Sequence, residues 1–319
     1  MAILGIVVLL LTACGGTDLS KRTFERSTVP IEPAQGRGKV PEGPIEDSTV
    51  SAESLRTIAP CGVLGNGALK RLGKPDDISA RSWSECVGTV TAPGDNKIEV
   101  RLEIGADIRS FDDPSGQVAG LPLIVATRDN GDCVVTATTS KDAGIGIAAT
   151  VGYDDGQACR VGKVVIDETI QELHNDPPTL PDAAGSLTRI DPCSVLDGGE
   201  VSEVLDGKPE QTPSGVYGCY WVADQPRVSV SFRKGPEPTN SDDRDEVDLG
   251  EGVTGYSRQT VDSIDTCRVE WAHRGLDKHT AELVTVKYEN YGGDPESDKP
   301  CDKAETVAKS VVNELPRTG

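Results

Sequence analysis

Eight cysteines fall into two sets of nearly equal spacing, and this limits what the chain can fold into more than any other feature. Cys61, Cys86, Cys133 and Cys159 are separated by 25, 47 and 26 residues, and Cys193, Cys219, Cys267 and Cys301 by 26, 48 and 34. One unit is used twice. The match extends beyond the cysteines: Pro60-Cys61-Gly62-Val63-Leu64 aligns with Pro192-Cys193-Ser194-Val195-Leu196, and both runs lead into a Gly-Lys-Pro, at Gly73 to Pro75 and Gly207 to Pro209.

Within each unit the hydrophobic period changes. Val165, Ile166, Thr169, Ile170 and Leu173 follow Cys159 at spacings of three and four, as do Val307, Ala308, Val311, Val312 and Leu315 after Cys301. That is the buried stripe of a helix. Between the helices the period is two, as in Ile98-Val100-Leu102-Ile104, Val228-Val230-Phe232 and Leu283 to Tyr288, with β-rich runs at Leu121 to Thr127, Cys133 to Thr139, Ile145 to Val151 and Thr266 to Ala272. With no helices between the strands, the pattern predicts an α+β fold. Each of two tandem disulfide-stapled units is expected to be an antiparallel sheet of about five strands, with an N-terminal and a C-terminal helix packed on it.

Aromatic residues make up only 4% of the chain, so the core must be built from Val, Leu, Ile and Ala, and a core of modest side chains gains from covalent staples. Such staples persist outside the reducing cytosol. Four cysteines in one domain allow three pairings. The preferred one joins neighbours: Cys61 with Cys86, Cys133 with Cys159, Cys193 with Cys219, and Cys267 with Cys301. Pairing first with fourth and second with third is the alternative. No two of these cysteines have a Cys-x-x-Cys spacing, and His174, His273 and His279 are not interleaved with them, so no metal and no other cofactor is expected.

The ninth cysteine has another reading. Residues 1–13 carry no charge, contain an apolar run from Ala2 to Leu11 too short to span a bilayer, and end at Leu11-Thr12-Ala13-Cys14. This resembles a bacterial lipobox, which implies a cleaved signal peptide at 1–13 and a lipidated Cys14 on the outer face of the cell membrane. Residues 14–54 are rich in Gly, Pro, Ser and charge and read as a disordered tether. The first unit is then 55–174, a Pro-rich linker 175–186, the second unit 187–315 and a tail 316–319.

The net charge of −20 would repel nucleic-acid phosphates, which argues against nucleic-acid binding. No Gly-x-Ser-x-Gly elbow accompanies the three histidines, and His273 and His279 are expected as solvent-exposed residues flanking a hairpin loop. Ser241 to Glu251 is acidic but lacks the alternating ligands of a calcium loop, and Leu315 to Gly319 spells a sortase motif with no membrane segment after it. No enzymatic activity is expected.

Asp191-Pro192-Cys193-Ser194-Val195-Leu196, Cys219-Tyr220-Trp221 and Leu249-Gly250-Glu251-Gly252 resemble the Asp-Pro-Cys family of actinobacterial surface lipoproteins, domain of unknown function 3558. The likeness covers Leu187 to Leu315 well and Leu55 to Leu173 more faintly, where Ala59 stands in place of the Asp. It implies a lipid-anchored, disulfide-stapled extracytoplasmic domain and supplies no catalytic residues. In size and in its four cysteines each unit is also similar to the extracytoplasmic sensor domains of mycobacterial serine/threonine kinases.

Eight of the twelve aromatic residues lie in the second unit, and Tyr220, Trp221, Trp271 and Tyr288 are the candidate ligand-binding residues. The function expected is a membrane-anchored binding module for a small apolar ligand or an envelope protein. A sensor or scaffold domain for an envelope enzyme or kinase, with no small ligand, is the alternative.

Overall fold

The computed structural model describes residues 39–109, 113–153, 156–240, 243–260, 264–292 and 298–317. The expected signal peptide, Cys14 and most of the expected tether lie outside the described residues, as do Thr318 and Gly319. Among the described residues no helix is long and apolar enough to cross a membrane.

The first unit opens with α1 (Ala52–Thr57), capped by the Ser51 side chain on the Ser54 amide. A continuous helical stretch follows, α2 (Pro60–Val63), a π-helical turn (Leu64–Ala68) and α3 (Leu69–Leu72). Then come β1 (Lys74–Ala80), β2 (Glu85–Thr91), β3 (Lys97–Asp107), β4 (Gly116–Val118), β5 (Leu121–Thr127), β6 (Cys133–Ser140), β7 (Ile145–Tyr153) and α4 (Ala158–Leu173). The second unit has a 3₁₀ turn at Pro192–Ser194, then α5 (Gly198–Leu205), β8 (Glu210–Pro213), β9 (Gly218–Val222), β10 (Pro226–Gly235), β11 (Asp245–Asp248), β12 (Thr254–Thr260), β13 (Asp265–Gly275), β14 (Ala281–Asn290) and α6 (Pro300–Glu314).

Each unit forms one antiparallel sheet, in the orders β1-β2-β3-β7-β6-β5-β4 and β8-β9-β10-β14-β13-β12-β11. The two orders are the same, so the tandem α+β reading holds, but each sheet has seven strands where about five were expected. The extra strands are mostly edges that break the period-two rule: β1 and β11 are largely exposed, and β4 and β8 have three and four residues. Charged or short edges of this kind discourage pairing with other chains, and they leave little hydrophobic signal in the sequence.

The helices cover one face of each sheet. α4 packs on β6 and β7 through Val161, Val165 and Ile170, and α6 packs on β13 and β14 through Ala304, Val307 and Val311. The disulfides join Cys61 in α2 to Cys86 in β2, Cys133 in β6 to Cys159 in α4, Cys193 to Cys219 in β9, and Cys267 in β13 to Cys301 in α6. Their Cα–Cα distances are 5.0 to 5.1 Å, and each closes a loop of 25 to 34 residues, so each contributes about 3–4 kcal/mol through loop entropy.

On the opposite face the two sheets are only partly covered. In each unit the third strand is followed in sequence by a strand at the far edge. Ile108, just after β3, lies on this face against Ala148, and Pro236 and Pro238, just after β10, lie near Arg233 and Glu270. Each crossing therefore begins over one end of the open face.

The units are not beads on a string. The linker pairs with the first unit: Thr179 bridges to Ile58, the Leu180 amide donates to the Thr57 carbonyl at 2.7 Å, and the Ala59 amide donates to the Pro178 carbonyl at 2.9 Å. At its other end, buried Glu282 of β14 accepts from the Ser186 hydroxyl at 2.7 Å and the Leu187 amide at 2.8 Å, and pairs with Arg274. Across the junction the β8–β9 hairpin meets a bulge in β3 at Gly105, whose φ of 75° suits glycine and whose missing Cβ makes room for Val216. There the Val216 amide donates to the Gly105 carbonyl at 2.9 Å. Buried Arg56 donates from Nε to the Val216 carbonyl at 2.9 Å, and Tyr217 donates its hydroxyl to the Arg56 carbonyl. Trp83 of the first unit completes the second unit's core and packs on Tyr217 with ring centroids 5.2 Å apart.

Asp191, at the head of the Asp-Pro-Cys run, has two roles in this arrangement. Its carboxylate accepts from the Cys193 amide at 3.0 Å, capping the 3₁₀ turn, and lies 3.4 Å from Arg56 Nη2. Ala59, which stands at the matching place in the first unit, can do neither.

Candidate functional site

The four aromatic residues singled out from sequence do not converge. Successive residues of a strand point to opposite faces, and Trp221, Trp271 and Tyr288 all fall on the helix-covered face, fully buried in the second unit's core. Tyr288 donates its hydroxyl to Asp298 at 3.0 Å and accepts from Lys303 Nζ at 2.9 Å, so even its polar end is committed to the fold. Trp271 borders a cleft of about 250 Å³ with Val253, Val312 and Leu315. Only Tyr220 faces the uncovered side.

Around Tyr220 a groove of about 510 Å³ runs along the junction of the two units, on the open face of the second sheet. The first unit supplies Asp107 and Arg109, and the second supplies Tyr220, Arg227, Lys287 and Glu289 among others. Arg109 sits over the Tyr220 ring at 4.7 Å and Arg227 at 5.6 Å, and Arg227 also lies 5.6 Å from the exposed Tyr291 ring. Guanidinium groups stacked on aromatic rings in this way are held in place while still presenting N–H donors at their edges. Arg109 is further fixed by Asp107, to which its Nε donates at 3.1 Å.

Two buried carboxylates lie on this open face, Glu289 in the lining of the groove and Glu270 outside it. Glu289 accepts from Arg227 Nε at 2.7 Å and from Lys287 Nζ at 2.5 Å. Further along the sheet, opposite Thr285, Glu270 accepts from Arg233 Nε at 3.0 Å, Arg268 Nη2 at 3.2 Å and the Thr285 hydroxyl at 3.2 Å. A buried carboxylate is costly unless paired and hydrogen-bonded. Here each one is satisfied from above by long cationic side chains, so the negative charge lies beneath and the positive charge faces the solvent.

The first sheet's open face has its own hollow, of about 530 Å³, with a different character. Glu85, Glu99 and Glu103 line it with Lys97 and Arg101. Burial, reinforced by the neighbouring Glu85 charge, pushes the Glu103 carboxyl above its ordinary range.

The histidines have structural partners. His174, at the end of α4, contacts the Ile170 carbonyl through Nδ1 at 2.7 Å and Asp47 through Nε2 at 2.8 Å. Both ring nitrogens are thus occupied, which leaves neither to take a proton from a nucleophile. The Ile170 carbonyl, and then the Asp47 carboxylate, raise its pKa. His273 corrects the loop expectation: it sits within β13 at a bulge, half-buried, with Nε2 2.9 Å from the Gly185 carbonyl, and burial lowers its pKa. His279 lies in the β13–β14 loop and is exposed. Among the described residues no three His, Cys, Asp or Glu side chains group as metal ligands.

Sequence reasoning missed Arg109, Arg227, Arg268 and Lys287. The signal was present in part: Arg268 follows Cys267 and Lys287 precedes Tyr288, so alternation assigns both to the face away from the core. Which residues of different strands stand side by side depends on register, and on a neighbouring unit for Arg109. Compared with known proteins, the chain matches no family model, no curated protein and no solved structure.

Proposed function

We propose that this chain is a lipid-anchored, extracytoplasmic binding protein without enzymatic activity, of the Asp-Pro-Cys lipoprotein kind, and that it holds a protein partner in the groove at the junction of its units. The observation that carries this reading is the stacking of Arg109 of the first unit on Tyr220 of the second, which makes the groove a product of both units together. Four disulfides support an oxidising location. The lipobox at Cys14 supports an anchor.

A protein partner fits better than an apolar ligand. The groove is lined by paired charges and hydroxyls, and charged forks with aromatic neighbours are typical of protein recognition surfaces. The cleft beside Trp271, at about 250 Å³, is smaller than the roughly 300–1,000 Å³ that small-molecule pockets occupy.

Two measurements test the reading. The intact mass of protein extracted from its membrane should carry a diacylglycerol and an acyl chain on Cys14 as the first residue; an unmodified Cys14 on an uncut N-terminus would remove the anchor. A photo-crosslinking residue placed at Ser229, in the groove, should give a discrete protein adduct in the native envelope, and the same residue at Thr150 on the first sheet should not. Equal labelling from both positions, or none from Ser229, would remove the groove.

A further inference from the structure

The register of the second sheet lines up its cations. On the open face, Tyr220 of β9 stands opposite Ser229 of β10, Ser229 opposite Lys287 of β14, Lys287 opposite Arg268 of β13, and Arg268 opposite Arg258 of β12. Three cations in successive strands thus form one row at right angles to the strands, spaced by about 4.8 Å, the distance between strands. Like charges directly opposite one another in a sheet are destabilising; Lys287 and Arg268 offset this by pairing with the buried Glu289 and Glu270, whereas Arg258 pairs with the exposed Asp243.

The matching row of the first unit is quite different. The positions equivalent by disulfide and register are Val87, Arg101, Thr150, Val134 and Ala126, which hold a single cation. The shared fold therefore does not require the row. The second unit alone carries it.

Its charges are also arranged to be used. The side chains of Lys287, Arg268 and Arg258 keep 39, 46 and 52% of their surface, while Glu289 and Glu270, which pair with the first two, keep 5 and 7%. Each cation is oriented by a carboxylate, Arg258 by the exposed Asp243 at 3.2 Å.

We infer that this row is a docking track for an acidic, extended segment of a partner protein, lying across the strands from the Tyr220 end to Arg258. The inference rests on the binding role proposed for the groove, whose lining supplies Tyr220, Ser229 and Lys287, and extends it across the sheet to Arg268 and Arg258. About six extended residues, at about 3.3 Å each, cover the four strand spacings of the row. Carboxylates of such a segment meet the guanidinium forks and the ammonium group in charge-assisted hydrogen bonds. Its backbone donors and acceptors meet Ser229, Ser231 and the Tyr220 hydroxyl. A continuous polyanion fits less well, because Glu289 and Glu270 flank the row on either side, and a flat bilayer surface cannot follow a groove walled by Arg109 and Asp107. The overall charge of −20 is no obstacle at contact range, since at physiological salt distant charges are screened beyond about 8 Å.

Fluorescence anisotropy with a labelled peptide of alternating Glu and Ser, measured against a Lys/Ser peptide of equal length, tests this on the full folded chain. The acidic peptide should bind, the basic one should not, and binding should weaken several-fold between 50 and 200 mM salt. The double substitution Arg268→Gln and Lys287→Gln should weaken it at least tenfold, and so should Arg258→Glu, which lies away from the buried carboxylates and should leave the melting temperature unchanged. Arg101→Gln in the equivalent row of the first unit should leave binding within twofold. Binding that ignores all three second-unit residues, or an oligogalacturonate of equal charge binding tighter than the peptide, would overturn the assignment. If Ser229 still crosslinks a protein while the peptide fails, the acidic segment is wrong and the binding face stands; if both fail, both readings fall.

Discussion

The first and second units share strand order, disulfide pattern and even a β-bulge at the same place in β6 and β13, yet they differ wherever a side chain reaches beyond its own unit. At the bulge, Thr139 of the first unit donates to the Ile145 carbonyl of its own hairpin at 3.1 Å, whereas His273 of the second reaches the Gly185 carbonyl of the linker. Buried Ile145 has as its counterpart Glu282, which clasps the linker through Ser186 and Leu187. Ala59 has Asp191, which engages Arg56 of the neighbouring unit. Val134 has Arg268. Positions that serve a unit's own core are alike in kind, and positions that face outward have diverged. The second unit carries the cationic row and, with Arg56, Trp83 and Arg109 of the first, the contacts between units, which are properties that a single copy lacks.

The junction is the place to break this asymmetry with the largest effect. Trp83→Ala empties a site in the second unit's core that the first unit fills, and should cost about 3–5 kcal/mol. It should also separate one thermal unfolding transition into two, followed by circular dichroism and tryptophan fluorescence; a single transition at an unchanged temperature would show that the units do not share a core.

Next in size are the staples, which should behave alike in the two units if the repeat is energetic as well as geometric. Replacing Cys133 and Cys159 together by Ser, or Cys267 and Cys301 together, opens loops of 26 and 34 residues. Loop entropy gives a loss of about 3–4 kcal/mol for each pair, with the longer loop losing only about 0.2 kcal/mol more. Denaturant unfolding of the two variants measures the difference, and a gap of more than about 2 kcal/mol would make the staples unequal partners.

The smallest effect separates the histidines. His174, whose pKa is raised in the folded state, contributes stability that is fully present below its unfolded pKa of about 6.5 and is lost as pH rises through the folded value. His174→Gln should therefore lower the melting temperature slightly at pH 5.5 and leave it unchanged at pH 8.5; the contribution is small because the pair is well exposed to solvent. His273 has the opposite sign. Its lowered pKa disfavours the charged form in the fold, so acidification through about pH 6.5 destabilises the native state. His273→Gln should flatten that acid dependence.

Much of the architecture was readable in the residues. The helical stripe after Cys159 and after Cys301 marked α4 and α6 to within a residue at each start. Alternation located β3, β10 and β14, and runs rich in β-branched residues located β5, β6, β7 and β13. The edges β1, β4, β8 and β11 carried no such pattern, since an edge needs charge or brevity more than a buried face. The candidate site was less legible. Large aromatic residues drew attention to Trp221, Trp271 and Tyr288, which fill the core, while the groove is lined by Arg109, Arg227 and Lys287 and continued by Arg268, whose polarity reads in sequence as ordinary solvent exposure.

The sequence by itself determined that one unit is used twice, that sulfur bridges suit it, and which face of most strands is apolar, because cysteine spacing and side-chain period are local and survive in one dimension. Only the tertiary structure decided which cations share a row, that Trp83 belongs to its neighbour's core, and that Arg109 stacks on Tyr220. These depend on strand register and on how two units meet, and both are settled by contacts between different strands or different units, which no local pattern encodes.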